Sequence, residues 1–67
     1  MSNLEGVYGA VNGVVRLRDV SRMTGLAKST IYALIKADAF PKQVKLGKRA
    51  VGWWYLEVIH WLSERPR

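Results

Sequence analysis

The sequence predicts one small, mainly α-helical domain with a single β-hairpin between its second and third helices. Three observations support this prediction: helical apolar spacing on both sides of Gly25, alternation of apolar and polar residues on both sides of Gly47, and renewed helical spacing before Pro66. At 67 residues the chain is long enough for one modest core. We expect residues 1–13, which contain three glycines, to form a flexible tail and residues 14–64 to form the domain.

Two short helices are predicted first, after a strand-like piece around Val14–Arg16. The first helix begins at Leu17 and ends at Gly25, a residue suited to the left-handed conformation that ends helices. The second runs from about Ala27 to Ala37. Two helices joined by a short turn with glycine form a helix-turn-helix unit. The predicted apolar faces are Leu17, Val20 and Met23 or Thr24 in the first helix, and Ile31, Leu34 and Ile35 in the second.

The hairpin and a third helix follow Phe40-Pro41, which cannot continue a helix. Residues 43–46 and 49–53 alternate like half-buried strands, and Gly47-Lys48 forms the turn between them. The third helix runs from about Trp54 or Tyr55 to Ser63, with a predicted buried stripe of Tyr55, Val58, Ile59 and Leu62. The predicted order of elements is that of a winged helix-turn-helix: helix, turn, helix, basic hairpin and helix. The hairpin is the wing.

Positive charge is concentrated in the middle of the chain. The net charge is +6. Residues 28–49 hold six basic residues and one acidic residue, whereas the segments before and after are nearly balanced. A focused basic patch is typical of nucleic-acid-binding proteins. We therefore expect double-stranded DNA as the partner.

The exposed face of the second helix is the predicted base-reading surface, because the N-terminal residues of that helix reach base edges in a helix-turn-helix. Lys28 and Ser29 are the first candidates for base contacts. We expect Tyr32 to contact a phosphate or a thymine methyl group, or to pack at the edge of the core. We expect Thr30 on the inner side of the first turn, where it caps the helix or donates to a phosphate. The full predicted set on this helix is Lys28, Ser29, Thr30, Tyr32, Ala33 and Lys36.

Two further groups of cations are predicted to contact DNA. On the wing they are Lys45, Lys48 and Arg49, of which Arg49 is the candidate for a narrow minor groove. On the first helix, Arg18 and Arg22 are four residues apart, which suits phosphate contact as well as an ordinary solvated face.

The remaining chemistry of the chain favours a binding protein over an enzyme. With no cysteine, one histidine and no carboxylate pair at helical spacing, we expect no catalytic site, no metal and no cofactor. Trp53 is predicted to be core, whereas one of Trp54 and Trp61 is core and the other contacts a protein. No stretch is long and apolar enough for a membrane span or an export signal, so we expect a cytoplasmic, nucleoid-associated protein.

The sequence also resembles the AlpA family of prophage regulators. The matching segments are Met23-Thr24-Gly25-Leu26-Ala27-Lys28-Ser29-Thr30-Ile31-Tyr32, Phe40-Pro41-Lys42, Val44-Lys45-Leu46-Gly47, Arg49-Ala50-Val51-Gly52-Trp53, Glu57-Val58 and Trp61-Leu62. The resemblance implies an excisionase-like or MerR-like winged helix protein that regulates transcription or directs site-specific recombination. The sequence departs from the family pattern at Ala27, where a serine cap is usual, and at Ala33, where arginine is common.

Several functions remain open at this point. Transcriptional regulation and excisionase-like activity use the same fold and contacts. A module that binds an integrase or RNA polymerase through its tryptophans, with incidental DNA affinity, is the alternative from another class. RNA binding is disfavoured because the aromatic residues alternate inward. No dimerisation segment is recognisable, so we expect a monomer or at most a weak self-associator in free solution, with self-association on DNA.

Overall fold

A computed structural model describes residues 13–66 of the protein. Three helices accompany a three-stranded antiparallel sheet with strand order β1-β3-β2. The elements in chain order are β1 (Val14–Val15), α1 (Leu17–Thr24), α2 (Lys28–Lys36), β2 (Val44–Lys45), β3 (Val51–Trp54) and α3 (Tyr55–Ser63). The predicted order of helices and hairpin strands is confirmed. The tail predicted for residues 1–13 lies outside the described residues, apart from Gly13.

The sheet has one strand more than the predicted hairpin. β1 pairs with β3, placing Val15 opposite Trp53, and β2 pairs with the other edge of β3, placing Val44 opposite Gly52. The close approach of β1 depends on Gly52, because a Cβ atom there would lie 2.8 Å from the Val15 carbonyl oxygen. The expectation of a two-stranded hairpin was therefore incomplete: the strand-like piece before α1 completes the sheet.

The turn between α1 and α2 is fixed by glycine and two hydroxyl groups. Gly25 adopts the left-handed conformation, with φ 76°, and its N–H donates to the Ser21 carbonyl. The Ser21 hydroxyl donates to the Leu26 carbonyl over 2.7 Å, and the Thr24 hydroxyl accepts from the Leu26 N–H over 3.2 Å. The first bond satisfies a carbonyl that the end of a helix leaves open, and the two hydroxyl bonds satisfy the backbone groups of the turn residue Leu26. The predicted end of α1 at Gly25 is confirmed.

The end of α2 is a second left-handed cap, which the sequence did not indicate. Asp38 has φ 60°, its N–H donates to the Ile35 carbonyl, and the Ala39 N–H donates to the Leu34 carbonyl over 2.8 Å. This is the hydrogen-bond pattern of a Schellman motif, usually built with glycine at the left-handed position. An aspartate there is a source of modest strain.

The core lies where α1, α2 and α3 meet the sheet. Its six buried residues come from every helix and strand except β2, and from the segment after α2: Val15, Val20, Ile31, Phe40, Trp53 and Val58. Leu34 and Ile35 pack against this cluster, as predicted for the inner face of α2. The predicted stripe of α3 was wrong at Ile59, which is 40% exposed, because Val58 is the fully buried centre of that helix.

Two tryptophans hold the irregular segment between α2 and β2. The Trp53 indole N–H donates to the Pro41 carbonyl over 3.1 Å, and that of Trp61 donates to the Ala39 carbonyl over 2.7 Å. Phe40 packs edge-on against Trp61, with ring centroids 4.7 Å apart. The segment is thus anchored to β3 and α3 from two sides. No helix within residues 13–66 is long and apolar enough to cross a bilayer.

Candidate nucleic-acid interface

The exposed side of α2 is polar and basic. Lys28, Ser29, Tyr32, Ala33 and Lys36 are all exposed, as predicted, while Ile31 on the opposite side is fully buried. Tyr32 is 45% exposed, so its ring is available to a ligand. The small side chain at Ala33 leaves room for close approach of a base methyl group.

Thr30 does not lie where the sequence placed it. It was expected on the inner side of the first turn, but it is exposed together with Ala27, Lys28 and Ser29. The first turn of α2 therefore projects beyond the core on all sides, and Ile31 is its first buried residue. Thr30 remains available as a hydroxyl donor on the same surface.

The start of α2 has no side-chain cap within the described structure. Its N-cap residue is Ala27, with extended backbone angles and no side chain able to accept from the first-turn amides. Replacing serine with alanine at such a position costs about 1 kcal/mol. The open N–H groups lie on the exposed tip of α2, beside Lys28 and Ser29.

Cations from three elements line one groove beside α2. Lys28 and Tyr32 of α2 share this groove with Arg18 of α1 and with Arg49 of the hairpin tip, around a volume of about 520 Å³. Arg16, which the sequence analysis did not single out, lines the same groove, and so does Asp19, whose carboxylate accepts from the Arg16 backbone N–H over 3.3 Å. The only sequence signal for Arg16 was its position immediately before α1. The groove is formed by residues that are distant in the sequence, because the pairing of β1 with β3 brings residues 16 and 49 together.

The other predicted contact cations do not line this groove. Arg22 on α1 and Lys45 and Lys48 on the hairpin are exposed. Throughout residues 13–66 the ion pairs are Lys42–Asp38 and His60–Glu64. All of the predicted contact cations are therefore free of a carboxylate partner in that part of the chain. Such a surface favours an extended anion over an internal salt-bridge network.

Comparison with known proteins identifies the family. The family model described as the prophage CP4-57 regulatory protein AlpA matches residues 13–66. A protein named ORF88 of Enterobacteria phage P4 is 43% identical over 51 residues, and the match covers 76% of this chain and 58% of that protein.

A second relative is the DNA-binding transcriptional activator AlpA of Escherichia coli K12. It is 41% identical over 58 residues, covering 78% of this chain and 83% of the relative. No solved structure gives a significant match. The resemblance noted from the sequence is confirmed: the chain belongs to the AlpA family of prophage regulatory proteins.

Proposed function

We propose that this protein is a sequence-specific DNA-binding regulator of a prophage or mobile element. The observation that carries the proposal is the groove in which Arg18, Lys28, Tyr32 and Arg49 meet beside the exposed face of α2. A surface of unpaired cations from three elements fits the closely spaced phosphates of a duplex. The relative from Escherichia coli, named as a DNA-binding transcriptional activator, supports the same function.

The proposed binding mode is that of a winged helix-turn-helix. The α1–α2 pair, with its turn at Gly25, supplies the helix-turn-helix, and the β2–β3 hairpin is the wing. α2 enters the major groove with Lys28 and Ser29 at base edges, and Arg18 and Arg22 contact phosphates. Lys45 and Lys48 contact the phosphate backbone of the DNA, and Arg49 reaches the adjacent minor groove.

The proposed DNA-binding surface serves two biological roles. We propose transcriptional regulation as the main role and excisionase-like direction of recombination as a second use of the same surface. The protein acts in the cytoplasm on the nucleoid, without catalysis, and contacts RNA polymerase or an integrase on DNA. An interaction module with incidental DNA affinity is the alternative, favoured by the exposed Trp54.

Selection of a binding site from random duplexes, followed by titration of point variants, tests the proposal. Lys28→Ala and Ser29→Ala should each weaken binding to the selected site by about 1–3 kcal/mol, with unchanged melting. Lys42→Ala is the matched control, because Lys42 is exposed but paired with Asp38 on another surface.

The outcomes separate the candidate functions. Equal affinity of the Lys28 and Ser29 variants and the parent for the selected site would refute the assignment of α2 as the reading helix. Failure to enrich any sequence, with uniform and salt-labile binding, would favour the interaction module. Preference for single-stranded RNA over every duplex would refute both.

A further inference from the structure

The groove beside α2 is lined in part by four consecutive residues at the start of α1, residues 16–19. The proposed function assigns a DNA contact to one of them, Arg18. Arg16 is exposed, and the ion pairs found within residues 13–66 do not include it. Arg16 thus brings to the proposed DNA site a positive charge that has no carboxylate partner in the described chain.

The backbone of Arg16 is held at both of its polar groups. Its N–H donates to Oδ2 of Asp19 over 3.3 Å, and its carbonyl accepts from the Val20 N–H over 2.9 Å. The preceding residue, Val15, is paired with Trp53 and fully buried. The Arg16 side chain therefore extends from a fixed point, which lowers the conformational entropy that is lost when it binds a ligand.

The proposed binding mode requires a strand of DNA to pass this point. In that mode α2 lies in the major groove and Arg49 in the adjacent minor groove, and one sugar-phosphate strand separates neighbouring grooves of a duplex. Lys28 and Tyr32 of α2 line the groove beside α2 together with Arg49 and Arg16. A strand that passes between α2 and Arg49 therefore meets the start of α1.

The lining of the groove fits both parts of such a strand. Its cations attract phosphates, and the planar fork of a guanidinium group can bind two phosphate oxygens at once. Leu17 and Val51, which are half-buried and line the same groove, offer apolar surface to a deoxyribose ring. Among the described residues that line it, Asp19 is the only acidic one.

We propose that one sugar-phosphate strand of the bound duplex lies in the groove beside α2 and that Arg16 binds a phosphate of this strand. Asp19 is a positioning residue: its carboxylate holds the Arg16 backbone, while its negative charge weakens the attraction of the groove for phosphate. This inference rests on the proposed DNA-binding function and adds to it a contact residue and the path of the strand.

Titration of Arg16→Gln with the selected duplex at 50 and 200 mM salt tests the contact. Loss of one phosphate contact lowers the slope of log affinity against log salt by about 0.9, so the loss of affinity should be about 3–4-fold larger at 50 mM than at 200 mM. Arg16→Lys keeps the charge and should keep the slope of the parent. Lys42→Gln is the matched control for removal of one positive charge, because Lys42 is exposed but does not line this groove.

Neutral phosphate analogues locate the contact on the DNA. A methylphosphonate is placed at one phosphate at a time along the selected site. At a phosphate between the bases contacted by α2 and the minor groove reached by Arg49, this replacement should weaken the parent but not Arg16→Gln, because two changes that remove the same contact are not additive. At other phosphates it should weaken both proteins alike.

Asp19→Asn gives a second, independent measurement. The amide oxygen can still accept from the Arg16 N–H, but the negative charge is removed. With a phosphate strand in the groove, affinity for every duplex should rise by about 2–5-fold, the effect of removing one repulsive charge in a solvated site. Glu57→Gln is the matched control, because it makes the same change of charge on α3 outside the groove, where salt screens it from the strand.

Each contrary result has a definite meaning. A parent-like salt slope and methylphosphonate profile for Arg16→Gln, or no gain for Asp19→Asn beyond that of Glu57→Gln, would overturn the placement of the strand while the DNA-binding function stands. Equal losses for Arg16→Gln at both salt concentrations, with a lower melting temperature, would show that Arg16 acts through folding and would overturn it as well. Absence of binding of the parent to every duplex would instead refute the proposed function, and this contact with it.

Discussion

Replacement of Gly52 by alanine should destabilise the protein more than any other change of one methyl group in the sheet. The added Cβ would clash with Cγ1 of Val14 and lie 2.8 Å from the Val15 carbonyl oxygen and 3.2 Å from Cδ1 of Leu46. Because the carbonyl belongs to the backbone of β1, relief requires β1 to move away from β3. Overpacking of this kind costs about 1–3 kcal/mol.

Thermal unfolding followed by circular dichroism measures this cost. For a domain of this size, 1 kcal/mol corresponds to about 4–8 °C, so Gly52→Ala should lower Tm by about 4–24 °C. Gly47→Ala is the matched control, because no described atom lies within 4 Å of the position of its Cβ. Adding Val14→Ala to Gly52→Ala should recover part of the loss, since it removes one of the clashing groups. A Gly52→Ala protein that melts with the parent would refute the reasoning.

Three further changes test the hairpin and the end of α2. Lys48→Ala should weaken binding to all DNA sequences alike and reduce the slope of log affinity against log salt by about one, as measured by titration at several salt concentrations. Arg49→Ala should lose more affinity on A·T-rich than on G·C-rich flanks, because a narrow minor groove attracts arginine; equal losses would exclude the minor-groove contact. Asp38→Gly should raise the free energy of unfolding by about 1 kcal/mol in urea denaturation, because glycine adopts φ 60° without strain; a lower stability would show that the Asp38 side chain compensates.

Local signals in the sequence were sufficient to predict the positions of the helices. Gly25 ends α1 and Pro41 keeps the segment after α2 out of a helix, and each acts through its own backbone geometry. The exposed face of α2 followed from helical spacing, since that helix has one clear apolar side. These features depend on neighbours in the chain, so they are readable without tertiary information.

Features that depend on distant neighbours were not predictable. The strand-like piece around Val14–Arg16 was predicted, but a two-residue strand carries no signal of its partner, and β3 lies about forty residues away. The wrong assignment of Ile59 has a similar cause: α3 is apolar on most sides, and only packing selects Val58 as its centre. Arg16 was missed for the same reason, because its neighbourhood with Arg49 exists only once β1 is paired.

The two indole hydrogen bonds to the segment after α2 have a consequence for the DNA sites this protein can use. Trp53 and Trp61 fix the carbonyls of Pro41 and Ala39, so the path from α2 to the hairpin has a set length although it has no regular secondary structure. In the proposed binding mode, that length determines how many base pairs separate the contacts of α2 from those of Arg49. We therefore expect insertion of a residue between Ala39 and Pro41 to change the distance between these two sets of DNA contacts and to leave the bases contacted by α2 unchanged.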